Sequence, residues 1–117
     1  MATYAKVALS GAANGLGIKV AATATAGTLI HTAVSGTSDW DEVWLYAVNS
    51  SAGAVKLTIE YGTHSAPDGN IEKTILAEDG LYCIVPGLLL QNSLDINAFA
   101  GTADVLIIYG FVNRITA

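Results

Sequence analysis

From Val55 to Tyr61 the chain reads Val-Lys-Leu-Thr-Ile-Glu-Tyr, apolar at every odd position and polar at every even one. A strand points successive side chains to opposite faces. This period of two therefore predicts a strand with Val55, Leu57, Ile59 and Tyr61 on a core and Lys56, Thr58 and Glu60 in water. The pattern recurs where Leu16, Ile18, Val20 and Ala22 alternate with Gly17, Lys19, Ala21 and Thr23, and where Leu94, Ile96 and Ala98 alternate with Ser93, Asp95 and Asn97. No window sets apolar residues at helical spacing ahead of a cap. Turn formers separate the runs: Ser35-Gly36-Thr37-Ser38-Asp39, Asn49-Ser50-Ser51-Ala52-Gly53, Ala66-Pro67-Asp68-Gly69-Asn70 and Glu78-Asp79-Gly80. Gly, Asn and Asp supply the positive φ that tight turns need, and Pro67 presets a turn start. Strands are predicted near 16–24, 28–34, 42–49, 54–61, 71–77, 81–86, 93–99 and 104–114. About eight short strands with regular turns give an all-β fold, an antiparallel β-sandwich or jelly roll, with a barrel as the competing architecture.

A length of 117 residues fits one domain. Residues 16–117 are assigned to it, and the Ala- and Gly-rich residues 1–15 to an extended N-terminal arm. Apolar residues make up 52% of the chain and charged ones 13%, against an average near ~25% charged. So few charges cannot cover the surface. Small polar residues must cover much of it, and other chains the rest. The net charge is −5, and the five Lys and Arg residues are scattered. Phosphate binding needs them clustered, so nucleic-acid binding is not expected. The apolar run Val105–Val112 is broken at Gly110 and falls well short of the ~20 residues of a membrane helix. The apolar patch before Ser10 is too short for a signal-peptide core, so a soluble, untargeted chain is expected. The single cysteine, Cys83, excludes an intrachain disulfide, and its apolar neighbours predict a small buried side chain.

Two segments break the alternation: Val43-Trp44-Leu45-Tyr46-Ala47-Val48 and Val105-Leu106-Ile107-Ile108-Tyr109 are apolar on both faces. One face of each lines the core, and the other calls for a cover. That cover is either a loop or the N-terminal arm folding back, or a neighbouring subunit, because a wide apolar patch seldom stays in water. Aromatic side chains are enriched at interfaces. Trp44 and Tyr46 are therefore candidates for a subunit interface, with Trp40 in the preceding turn and Leu106 and Ile108 from the second segment.

The chemistry-bearing residues form no recognisable site. His31 and His64 lack partners at metal-ligand spacing, apart from Asp68 four residues after His64. His31 alternates with Leu29 and Ala33, as a hydrogen-bonded, half-buried histidine would. No serine stands in a G-x-S-x-G elbow. Gly11-Ala12-Ala13-Asn14-Gly15-Leu16-Gly17 lacks the G-K-[ST] ending of a phosphate loop. Asp39, Asp41 and Glu42, like Glu78 and Asp79, are predicted to be solvated turn charges. The chain is expected to be non-enzymatic and to hold no cofactor or metal.

Thr28-Leu29-Ile30-His31-Thr32-Ala33, Asp41-Glu42-Val43-Trp44-Leu45-Tyr46-Ala47 and Leu57-Thr58-Ile59-Glu60-Tyr61-Gly62 resemble a group of small structural proteins of tailed phages. Val85-Pro86-Gly87-Leu88-Leu89-Leu90-Gln91-Asn92-Ser93 and Gly110-Phe111-Val112-Asn113-Arg114-Ile115 fit the same group, so the resemblance spans roughly residues 28–115. It implies a head decoration or cement protein, a homotrimer that bridges major capsid subunits on the capsid surface of the virion and resides in the host cytoplasm during assembly. Under it, Tyr4, Lys6 and Leu9 of the arm would contact the capsid. Two other functions fit the same residues. One is a tail, neck or baseplate component that contacts another virion protein. The other is a carbohydrate-binding jelly-roll module with Trp40, Trp44 and Tyr46 as a stacking platform.

Overall fold

A computed structural model of the chain describes residues 2–117. These residues form nine strands and no helix: β1 (Thr3–Ala8), β2 (Ile18–Lys19), β3 (Thr28–Thr32), β4 (Trp40–Asn49), β5 (Val55–Tyr61), β6 (Asn70–Ile75), β7 (Tyr82–Leu90), β8 (Asp95–Ala100) and β9 (Leu106–Thr116). Sheet A runs β1-β9-β4-β7, with β2 also paired to β9, and sheet B runs β3-β8-β5-β6. All pairings are antiparallel. The pairs β2·β9, β3·β8, β4·β7 and β5·β6 nest inside one another, as in a long hairpin rolled up so that alternate strand pairs fall into opposite sheets. That is the jelly-roll order. The all-β sandwich read from the alternation is therefore the observed fold.

The core lies between the sheets. Val43, Leu45 and Ala47 of β4 and Leu106, Ile108 and Val112 of β9 face Leu57 and Ile59 of β5 and Ile96 and Ala98 of β8, all fully buried. Each of the valine, leucine and isoleucine side chains among them contributes roughly 1.5–3 kcal/mol by leaving water. Their spacing of two along each strand is why alternation in the sequence marks the inward set of β5, Val55, Leu57 and Ile59.

Several expectations change. The segment read as a free arm is a strand over Thr3–Ala8, paired residue for residue with the end of β9 from Thr3↔Thr116 to Ala8↔Phe111. Alanine and glycine content concealed it, because Ala has no strong β preference. The strand expected at 16–24 contracts to Ile18–Lys19, and Leu16 is exposed. β4 begins at Trp40, where a turn was expected, and β7 continues past Pro86 to Leu90. A strand tolerates proline where its missing N–H would point off the sheet edge, and β7 is such an edge. Gly87 follows at φ +83°, with a built Cβ 3.0 Å from the Trp44 ring. Backbone conformation and the indole both restrict this position to glycine.

Candidate functional site

The outward face of sheet A is the most distinctive surface of the molecule. Along β4 the period of two sends Trp40, Glu42, Trp44, Tyr46 and Val48 outward, and register aligns them with Ile115, Asn113, Phe111, Tyr109 and Ile107 of β9. Trp44 and Phe111 stack with centroids 6.3 Å apart. β1 adds Tyr4 and Lys6, whose ammonium lies 4.6 Å from the centre of the Phe111 ring. β7 brings Cys83 opposite Tyr46 and Pro86 opposite Trp44. Tyr4, Trp40, Leu89 and Tyr109 are exposed at 72%, 39%, 49% and 41%, whereas Trp44, Tyr46, Ile107 and Phe111 are half-buried against their neighbours, so the face is partly open to solvent.

Its charges are few. Glu42 is the one acid among the outward positions, and its Oε1 accepts both Asn113 Nδ2–H and Trp44 Nε1–H, each at 2.9 Å. These bonds, the Asn113 one foremost, hold its carboxyl below the usual range. Lys6 and Lys19 stand on the β1/β2 side. The chain's other acids lie elsewhere, two of them, Asp41 and Glu60, buried.

The sequence-chosen side chains divide accordingly. Trp44 and Tyr46 lie on the outward face of β4, and Trp40, expected in a turn, joins them there as the strand's first residue. Leu106 and Ile108, also chosen for the interface, are fully buried in the core. The reading was one residue out of phase along β9: Ile107 and Tyr109 are the outward pair. Of the arm residues, Tyr4 and Lys6 are exposed, whereas Leu9 is only 2% exposed and belongs to the core. It sits past the end of β1, where the chain turns beneath the sheets. Cys83, expected to be buried, is exposed, because a register shift between Leu45 and Tyr46 turns it outward.

Sheet B presents a different outer face. Thr58 and Glu60, expected in water, are buried. Glu60 accepts the Gly27 N–H at 2.7 Å and the Thr25 hydroxyl. Asn97, opposite Glu60 on β8, donates to the Gly27 carbonyl at 2.9 Å and meets His64 Nε2 at 3.0 Å. The loop before β3 is thus tied down over sheet B by side chains that alternation alone assigns to solvent.

A polar cluster sits at one end of the core. Asp41, read as a turn charge, is fully buried. It accepts Arg114 Nε–H and an Arg114 η-nitrogen at 2.8 and 3.0 Å, His31 Nε2–H at 2.8 Å and the Val34 N–H at 3.1 Å. Burial pushes its carboxyl up. The Arg114 and His31 bonds, the Arg114 charge and the Val34 bond outweigh that, and hold it below the ordinary value. Ser10 Oγ lies 3.2 Å from His31 Nδ1, which brings a serine, a histidine and an aspartate into line. Nδ1, however, already accepts the Ser10 backbone N–H at 3.0 Å, so its one lone pair is occupied and the ring proton sits on Nε2. Ser10 Oγ in turn accepts the Thr32 N–H at 2.7 Å. The ring is 1% exposed, and Asp41 is neutralised by Arg114. This geometry serves as a tie between the chain after β1, β3, β4 and β9, not as a poised nucleophile. The Tyr61 hydroxyl is buried without a hydrogen-bond partner among the described residues, and burial together with the Asp41 charge keeps it protonated.

Comparison of the chain with family models, with curated proteins and with solved structures returned no match.

Proposed function

We propose that this protein is a non-enzymatic structural subunit of a phage particle, a head decoration protein that lays the outward face of sheet A on the major capsid protein. The observation that carries the reading is the open aromatic face of β4 and β9. Four strand positions at ~4.8 Å and ten residues at ~3.4 Å per residue give it roughly 650 Å². Stable interfaces take about 800 Å² from each partner, so the face is of the right order. Its charge supports the reading as well. Glu42 is the one acid among its outward positions, so another protein can approach this face with little charge to desolvate. Long charged side chains are few, which leaves little rotamer entropy to lose on contact.

The test is addition of the purified protein to undecorated heads of the cognate major capsid protein, with bound copies measured by sedimentation. Trp44→Ala removes an aromatic anchor at the centre of the face and is expected to weaken binding by about 30-fold, the effect of an interface hot spot. Its circular dichroism should stay that of wild type, because Trp44 is outside the core. Heads that take up none of the folded wild-type protein, or take up Trp44→Ala undiminished, would sink the proposal.

A further inference from the structure

The edges of the two sheets are not equally protected. β7 carries Pro86 and two register shifts against β4. β3 is short and shifted between Leu29 and His31. β6 carries Glu72 and Lys73 and lies against β7, with Lys73 over the Tyr82 ring. Bulges, prolines and charges are the usual guards against edge-to-edge pairing. β1 has none of them except Lys6. It runs six residues in unbroken register with β9, is exposed on both faces except at Val7, and has no strand on its far side.

We propose that two copies of this chain pair through β1, antiparallel about a two-fold axis normal to sheet A, with Ala5 opposite Ala5 of the second copy. The occupant and the register follow from the residues. A continuous sheet requires outward residues opposite outward residues, so the register can move only in steps of two. With Ala5 on the axis, Tyr4 faces Lys6 of the other copy twice, within reach of a cation–π pair if the ammonium turns from Phe111, and Thr3 faces Val7. One step one way sets Lys6 against Lys6, which like charge disfavours. One step the other way sets Tyr4 against Tyr4 but leaves Lys6 opposite Ala2, loses both Tyr4–Lys6 pairs and shortens the overlap to residues 2–6. The pairing produces a sheet in the order β7-β4-β9-β1-β1-β9-β4-β7. Both aromatic faces lie on the same side of it, doubling the flat surface. It does not depend on the capsid reading.

The experiment uses the protein alone. Light scattering across the micromolar range should give twice the chain mass. In a Cys83→Ser background, Ala5→Cys should convert to a disulfide-linked dimer under mild oxidation, because the two positions meet on the axis. Thr3→Cys, opposite Val7, should cross-link far more slowly. Three results would each overturn the inference: a monomer throughout that range, equal cross-linking from positions 3 and 5, or a dimer that survives deletion of residues 2–8. The last would place the contact on the aromatic face instead. Binding to heads is measured separately, so failure of either proposal leaves the other standing.

Discussion

At the scale of single residues, the buried charge of Asp41 is the clearest departure from a purely apolar core. Taking a carboxylate out of water is unfavourable unless it is paired and hydrogen-bonded, and Arg114, His31 and Val34 do both. Asp41→Asn keeps the shape and removes the charge. It should destabilise the fold by about 3 kcal/mol, the low end for breaking a buried pair, because the Arg114 side chain is 32% exposed and can reach solvent. The dependence on pH has a definite sign. The folded-state pKa of Asp41 lies below its ordinary value of 3.8, so between the two the unfolded chain binds more protons. The contribution is fully present above the ordinary value and disappears as pH falls through the lowered one. Denaturant melts of wild type and Asp41→Asn should therefore differ most at neutral pH and converge in acid. A difference that stays constant into strong acid would show that the carboxylate charge is not what Asp41 contributes.

At the scale of elements, β9 shows what alternation can and cannot reveal. Its first half, Leu106-Ile107-Ile108-Tyr109, is apolar at every position, so the sequence marks a strand with two apolar faces but not which face is which. Pairing settles it: Ile108 opposes Ala47 inside the core, and Ile107 opposes Val48 outside. Ile108→Ala should therefore cost about 2–5 kcal/mol of stability. Ile107→Ala should cost much less and act chiefly on binding to heads. Thermal melts of the two variants, run side by side, check the assignment. Equal losses would mean that the phase of β9 is wrong. Where one face is plainly polar, as in β5, the inward set of Val55, Leu57 and Ile59 was legible from sequence. The same pattern misplaced Thr58 and Glu60, because a period of two records the side a residue faces and not whether a distant loop later covers that side. The link from Glu60 to Thr25 and Gly27, like that from Asp41 to Arg114, joins residues far apart in the chain, and no local spacing announces it.

At the scale of the whole molecule, the nesting of β2·β9, β3·β8, β4·β7 and β5·β6 closes the sandwich without β1. β1 lies outside that nest, against the far end of β9, and adds only a half-buried Val7 to the core. The segment read from its composition as an arm outside the core thus divides: Thr3–Ala8 is a strand beside the nest, whereas Leu9 belongs to the core. Deletion of residues 2–8, which keeps Leu9, should leave a cooperative fold with the far-ultraviolet spectrum of a β protein. A loss of about 1 kcal/mol would lower Tm by roughly 4–8 °C in a domain near this size. Deletion also uncovers the edge of β9 at Val112, Asn113 and Arg114 and removes Lys6 from the Phe111 ring. Measured by calorimetry at low protein concentration, a single transition shifted by that amount would identify β1 as an appended strand free to serve association. Loss of the transition altogether would mean that the jelly roll needs β1 to cover β9, and that the strand's first role is structural.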